Sequence, residues 1–222
     1  MIRNMWWILH KDLISEFRAR RVWPAIMLLG IVVALVFSLQ MELLPQQKQQ
    51  LMGGLLWLAV FFAGMTAVDR SFAAERDDGC WEGLKLLPVS PSAVYLAKMA
   101  VNFVALSALE CVLIPLFFLL SDIPLLPHLG QLALVAGLAN LGLAAVGTMV
   151  SALAIGDRTG SLLVLLVLPL SIPVVLAAAD CTRLAVEGSV GDVWWRWIQF
   201  LAAFAVVFIT AGILIFEYAI ED

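Results

Sequence analysis

Charge is what this sequence has least of. Only 14% of its 222 residues are Asp, Glu, Lys or Arg, whereas 63% are hydrophobic. Soluble domains carry about 25% charged and about 45–50% apolar residues, so the composition excludes a soluble globular protein and predicts an integral membrane protein. The net charge is −4 and no basic run follows "RARR" at residues 18–21, so nucleic acid is not an indicated partner.

Cysteine and histidine are scarce as well. The three cysteines Cys80, Cys111 and Cys181 form no CxxC pair, and their odd number suggests neither a disulfide framework nor a zinc site. The two histidines, His10 and His128, fall on opposite sides of the predicted membrane. We therefore predict no metal site and interpret the thiols as small apolar core residues.

The sequence also lacks a phosphate-binding loop. Nothing matches GxxxxGK[ST], and "GDRTGS" at residues 156–161 has no lysine that could reach the β- and γ-phosphates of a nucleotide. Any ATP-driven mechanism must therefore take its ATPase from another chain. An intramembrane enzyme using Glu110, or Asp77 with Asp78, would need a second acid, a metal cluster or a nucleophile with its base on the same side. None is evident, so we predict no catalytic residue.

What the chain has instead is long apolar runs. A bilayer core of about 30 Å needs roughly 20 apolar residues in a helix. Six windows qualify, and we predict one transmembrane domain over residues 1–222 with spans at about 23–44, 51–68, 91–120, 129–155, 160–179 and 197–218.

Lysine and arginine set the predicted orientation. Nine of them flank the spans on one side, in the N-terminal segment, in the loop between spans 2 and 3, and at Arg158. Three lie on the other side, namely Lys48, Arg183 and Arg196. Both termini are therefore predicted to be cytoplasmic.

Residues 1–21 have helical periodicity. Apolar residues such as Trp6 and Leu13 share one face, and Arg3, Lys11 and Arg18 lie opposite. Such a helix suits the membrane interface, with its basic residues near lipid head groups. A plain cytosolic extension of span 1 is the alternative.

Small residues recur every four positions along span 4. They are Ala136, Asn140, Ala144, Thr148, Ala152 and Gly156. This spacing lets membrane helices approach closely, with Asn or Thr bonding across the interface. We expect it to serve packing, within the chain or between two copies.

The stretch from Asp69 to Lys98 gathers charge between spans 2 and 3. Span 2 can continue as a helix to about Gly79, a typical residue just past a helix end. "CWEGLKLL" is then a short amphipathic helix that ends at Pro88, and Ser90 with Pro91 starts span 3 as N-cap and first-turn proline. Apolar side chains rimmed by charge indicate either a protein interaction site or a helix resting on lipid head groups.

"ERDDGCWEGLKLLPVSPSAVYLAK" resembles the cytoplasmic loop of ABC-2-type exporter permeases. More narrowly, the chain is similar to the CcmB family of haem exporter B subunits, through "LLPVSPSAVYLAK", "GDRTGSLLVLLVLPLSIPVVLAAA" and the layout of six spans. The resemblance implies an all-α membrane protein of ABC-2 exporter type, with residues 1–21 as an elbow helix and a coupling helix between spans 2 and 3.

The resemblance further implies a non-enzymatic permease subunit in the bacterial inner membrane, acting in cytochrome c maturation. Its implied partners are a cytoplasmic ATP-binding subunit, a second copy of itself, a haem-handling membrane subunit and a periplasmic haem chaperone. ATP would be bound by the partner subunit and haem handled by the complex, with no cofactor held by this chain. The implied coupling positions are Glu75, Arg76, Asp77, Asp78, Gly79, Trp81, Glu82, Gly83, Leu84, Leu87 and Pro88.

Some polar and proline residues of the spans and the outer face are further candidates. Glu110 lies mid-span, where a charge costs at least about 2.5–3.5 kcal/mol, so we expect it to be protonated, hydrogen-bonded inside the bundle, or lining a wet cavity. Pro169 and Pro173 can hinge span 5. Asp180, Arg183 and the tryptophans of "WWRW" are placed at the outer interface, where the tryptophans fit an aromatic belt. His128 is the one histidine that could meet haem on that side.

Three alternatives stay open. A permease of the same fold could export another hydrophobic substrate, or the chain could be the intramembrane enzyme considered above. A secondary carrier would show paired broken helices in its two halves, and the sequence offers only an echo between "LLPVSPSAV" and "VLPLSIPVV".

Overall fold

Five long helices make up most of the described part of the protein. A computed structural model describes residues 28, 30–33, 35–36, 45–77, 90–153 and 161–221, and it contains no strand in these ranges. The helices are α1 (Pro45–Asp77), α2 (Pro91–Leu120), α3 (Leu129–Leu153), α4 (Ser161–Val186) and α5 (Asp192–Glu221), with a short 3₁₀ helix at Leu126–His128 before α3.

Each of the five helices contains a stretch that is long and apolar enough to cross a membrane. This confirms the predicted all-helical membrane architecture. Predicted span 1 lies largely outside the described residues, although 30–33 are helical. The interfacial helix at 1–21 and the short helix after Gly79 also lie outside them, so the six-span count and both of these helices stay predictions.

The start of α2 follows from two adjacent residues. Ser90 occupies the N-cap position with an extended backbone, and Pro91 takes the first helical position, where its missing N–H would have no partner in any case. The Ser90 side chain makes no capping bond. Its carbonyl oxygen instead accepts from the backbone N–H groups of Ala93 and Val94, at 3.0 and 3.3 Å.

The connection between α4 and α5 is shorter than the sequence suggested. We placed residues 180–196 outside the membrane, but α4 continues to Val186 and α5 begins at Asp192. Charged residues marked the end of the predicted span, but they are compatible with a helix. The Arg183 guanidinium forms ion pairs with Asp180, three residues earlier, and with Glu187, four residues later, both with N···O distances of 3.2 Å. The polar segment therefore forms the last turns of α4.

The turns after α2 and α4 close their helices in the same way. Gly188 (φ 71°) follows α4 and Asp122 (φ 58°) follows α2, each in the left-handed region. The next residue returns an N–H to the helix, from Ser189 to Leu184 at 2.9 Å and from Ile123 to Phe118 at 3.1 Å. This is the Schellman pattern, which satisfies carbonyls at a helix C-terminus.

Helix α3 is the centre of the bundle and packs against the four other long helices. In its apolar stretch 72% of the residues are buried within the protein, compared with 22% for α5. The predicted small-residue repeat lies in these interfaces, since Asn140, Ala144 and Thr148 are all fully buried. A Cβ at Gly142 would lie 3.2 Å from the Phe204 ring. These three members of the repeat therefore pack within the chain.

Helices α1 and α4 also approach very closely. A Cβ placed on Gly53 would collide with the carbonyl oxygen of Ala179. One turn further along α1, the Trp57 Nε1–H donates to Thr182 Oγ1 (2.9 Å), which in turn donates to the carbonyl of Ala178 (2.8 Å). Glycine and a buried tryptophan thus fix the contact between these two helices.

We expect Gly53→Ala to destabilise the protein because the added methyl group meets rigid backbone. Forcing one carbon into a tight interface typically costs about 1–3 kcal/mol. Gly54→Ala is the matched control, since nothing lies within 4 Å of a Cβ there and alanine favours a helix by about 1 kcal/mol over glycine. Thermal unfolding in detergent should give a lower midpoint for Gly53→Ala only, and equal midpoints for the two variants would contradict the close approach.

Candidate functional site

The predicted coupling positions are only partly described. Glu75, Arg76 and Asp77 form the last turn of α1, and the positions from Asp78 to Pro88 lie outside the described residues. The apolar stretch of α1 ends at Thr66 but the helix continues to Asp77. At 1.5 Å per residue, α1 therefore extends roughly 16 Å beyond that stretch.

The clearest concentration of buried polar groups lies between α2 and α3. Lys98, Asn102 and Glu110 of α2 share one side of the helix and are each at most 3% exposed. Asn102 Nδ2 donates to Thr148 Oγ1 of α3 at 2.9 Å. In a bilayer such groups must find partners inside the protein, and the antiparallel neighbour α3 supplies those of Asn102 and Glu110.

Tyr95 continues this polar interface towards the start of α2. Its hydroxyl lies 3.2 Å from the carbonyl oxygen of Ala145 and 3.3 Å from that of Phe208 on α5. A Cβ at Gly212 would collide with the tyrosine ring, so the glycine makes room for it. Tyr95 thus ties α2 to two helices at once.

Glu110 is hydrogen-bonded inside the bundle, which is one of the three environments predicted for it. It is 3% exposed, and Asn140 Nδ2 donates to its Oε2 at 2.7 Å. The same amide lies 3.3 Å from Ser107 Oγ, and Ser107 donates to the carbonyl of Phe103 at 2.8 Å. Glu110 Oε1 and Asn140 Oδ1 are buried and have no hydrogen-bond partner.

Glu110 and Asn140 also line a cleft of about 450 Å³ between α2, α3 and the turn before α3. Its other walls are mostly apolar, with Phe103, Ile114 and Leu132 among them. We call this the Glu110 cleft. A small set of polar groups on a largely apolar wall is typical of a ligand site.

The two candidate prolines lie on the outside of the bundle. Helix α4 is continuous through Pro169 and Pro173, and both rings are exposed on its outer side. Between them, Ser171 is buried with no partner for its hydroxyl. The prolines do not meet Glu110, and their hinge role stays a prediction.

The outer candidates pair with each other. The Arg183 guanidinium lies between the carboxylates of Asp180 and Glu187, and all three side chains are partly exposed, so each pair contributes little, about 0–1 kcal/mol. Of the predicted aromatic belt, Trp195 is exposed but Trp194 is 2% exposed and donates to the carbonyl of Cys181 at 3.2 Å. Trp194 is therefore a core residue.

No candidate metal site occurs in the described ranges, which contain no group of three His, Cys, Asp or Glu residues able to hold an ion. His128 packs on the Phe118 ring, with 6.5 Å between ring centroids. Both described cysteines are free thiols. The interpretation as core residues is confirmed for the buried Cys181 and wrong for Cys111, which is exposed.

Sequence reasoning identified Glu110 but missed the polar side to which it belongs. Lys98 enters that reasoning only as the end of the charged stretch from Asp69, and neither Tyr95 nor Asn102 enters it as a candidate. Their spacing was the available signal, because Lys98 and Asn102 are one helical turn apart in an otherwise apolar segment. Asn140 was recognised for packing but not as the partner of Glu110.

We expect Asn140→Ala to destabilise the protein by about 1–3 kcal/mol, because it leaves both oxygens of Glu110 buried without a partner. Ser151→Ala is the control on the same helix, since its buried hydroxyl has no partner to lose. Thermal unfolding in detergent should show a loss for Asn140→Ala alone. The double change of Glu110→Met with Asn140→Leu should recover most of that loss, because it removes both polar partners together.

Comparison with known proteins places the chain in a family. Residues 3–221 match the family described as CcmB protein. The chain is 33% identical over 180 residues to heme exporter protein B of Pseudomonas aeruginosa, covering 79% of this chain and 78% of that protein. It is 31% identical over 137 residues to the Rhodobacter capsulatus protein of the same name, covering 61% of this chain and 62% of that protein, which is less than two thirds of its length. The match over nearly all of its residues shows that the chain belongs to the CcmB protein family.

Proposed function

We propose that the chain is the membrane-spanning permease subunit of an ATP-driven ABC transporter that serves c-type cytochrome biogenesis. The observation that carries this is the family match over residues 3–221, together with relatives named heme exporter protein B. The five apolar helices fit such a subunit. Haem is then cargo of the complex, and the chain itself is not an enzyme.

In this proposal the ATPase is a separate cytoplasmic subunit. The sequence has no GxxxxGK[ST] loop, and without one the chain has no standard means of holding nucleotide phosphates. ATP is therefore bound by the partner, and the energy of its hydrolysis must reach the membrane helices through a contact between the two proteins.

We place that contact at the connection between α1 and α2. The segment at residues 78–89 joins the end of the α1 extension to Pro91 at the start of α2. A force on this connection acts on two long helices that pack against each other. The proposed docking positions are the eleven coupling residues between Glu75 and Pro88 given above, with Trp81 and Leu87 as the apolar anchors.

The proposal also includes the other subunits of the complex and the orientation of the chain in the membrane. Two copies of the chain work with the ATPase, with a haem-handling membrane subunit and with a periplasmic haem chaperone. The chain spans the inner membrane with both termini in the cytoplasm, and residues 1–21 form the elbow helix. The excess of lysine and arginine on that side supports this orientation.

Genetic complementation tests the function itself. A bacterial strain without its own heme exporter protein B should regain covalently bound haem in its c-type cytochromes when this chain is expressed with the ATP-binding subunit of its own organism. Haem staining of denatured cytochromes measures the result, and b-type cytochromes serve as the control for haem supply. No recovery, with the protein present in the membrane, would contradict the proposal.

The docking site has its own test. We expect Trp81→Ala combined with Leu87→Asp to abolish copurification of the ATP-binding subunit, because the change removes one apolar anchor and buries a charge at the other. The matched control is Trp195→Ala with Val193→Asp, which alters exposed residues near the start of α5 and should leave capture intact. If the wild type and the Trp81 variant capture the ATPase equally, docking lies elsewhere; if the wild type captures none, the ATPase partnership is wrong.

A further inference from the structure

The Glu110 cleft has the dimensions of a small-molecule site. At about 450 Å³ it falls within the range of roughly 300–1,000 Å³ in which ligand pockets lie. It runs along α2 and α3 from Phe103 to the turn at Leu125 and Leu129. Its long apolar walls suit a hydrocarbon body rather than a hydrated ion.

The polar groups of the cleft are incompletely satisfied. Ser107 both donates and accepts, to Phe103 and from Asn140. Glu110 and Asn140 share one bond, which leaves Oε1 and Oδ1 without partners. Two such atoms on adjacent buried side chains are costly, because buried polar groups are paired in nearly all proteins.

The chemistry of these two atoms defines what can complete them. A lone carboxylate is disfavoured within a bilayer, and Glu110 Oε2 already accepts from Asn140. In the neutral acid the proton therefore sits on Oε1, which becomes a donor, while Asn140 Oδ1 stays an acceptor. A donor and an acceptor on adjacent side chains can pair directly, and a single hydroxyl group, which both accepts and donates, can instead bridge the same two atoms with two hydrogen bonds.

We propose that the Glu110 cleft binds a membrane-soluble alcohol or phenol, with its hydroxyl between Glu110 and Asn140 and its hydrocarbon body along the apolar walls. Neither unpartnered oxygen has accessible surface in the structure, so binding includes a rotation of one of the two side chains. The terminal torsions of Glu and Asn are broad and permit this. The proposal is independent of the function proposed above.

Cys111 provides a built-in reporter, because its exposed thiol lines the same cleft. A chain carrying Cys80→Ser and Cys181→Ser keeps this thiol alone. Its rate of alkylation by N-ethylmaleimide, followed by intact mass, then measures occupation of the cleft. The probes are 1-dodecanol and dodecyl methyl ether, which share a hydrocarbon chain but differ in the hydroxyl proton.

We expect 1-dodecanol to protect Cys111 at about five- to thirtyfold lower concentration than the ether, as one or two hydrogen bonds predict. In the double variant Glu110→Met with Asn140→Leu, the two probes should protect equally. Protection by the ether in that variant also shows that the cleft is still folded. A variant with Ser151→Ala should keep the wild-type preference for the alcohol.

Three results would overturn the proposal. Equal protection of the wild type by both probes would mean that the cleft binds the hydrocarbon chain without a hydrogen bond to the hydroxyl group. A preference that survives in the double variant would place the hydroxyl elsewhere. No alkylation in the absence of probe, or no protection by either one, would show a cleft that is closed or holds only water.

Discussion

Hydrogen bonding between α2 and α3 is the constraint on which the rest of the bundle depends. Lipid tails are as apolar as leucine, so apolar contact alone does little to choose one helix pairing over another in a membrane. Polar groups favour one pairing over the others, because each needs a hydrogen-bond partner within the protein. Asn102 with Thr148 and Glu110 with Asn140 set the register of the two antiparallel helices, and sliding either helix by one residue would break both pairs.

With α3 fixed against α2, the small side chains of α3 determine how closely the other helices can pack on it. Ala139, Ala144 and Ala145 are fully buried, and Gly142 admits Phe204 of α5. Close backbone approach replaces side-chain bulk as the source of packing energy, as is usual for membrane helices. The bundle is therefore organised around a thin central helix, and the bulkier apolar residues of α5 are left for its exposed outer side.

The sequence predicted those helices whose ends carry a local signal. Pro91 starts α2, and its apolar run ends with the helix. At α4 the same reasoning ended the span at Ala179, because a hydropathy window counts charged residues as breaks and does not see that Arg183 pairs along the helix with Asp180 and Glu187. Trp194 was assigned to the interface for a similar reason, since only the tertiary fold shows that Cys181 offers it a carbonyl.

The candidate site was predictable in its parts and not in its arrangement. A carboxyl group mid-span stands out in any sequence, and Asn140 stands out within a small-residue repeat. The two residues are thirty positions apart in the chain, and their pairing depends on the antiparallel register of α2 and α3. That register results from several contacts together, including the Tyr95 hydroxyl with the carbonyl of Ala145, and no single segment encodes it.

The length of α1 has a mechanical consequence. The helix is packed along its apolar stretch, from Gly53 and Trp57 on α4 to Gly64 beside Leu106 of α2, and it runs without a break to Asp77. From Gly64 to Asp77 the helix measures about 20 Å at 1.5 Å per residue, so a tilt of roughly 5° about the packed part would move the far end by about 2 Å. A small displacement at the tip of α1 therefore corresponds to a rotation of a few degrees where the helix packs on α2 and α4.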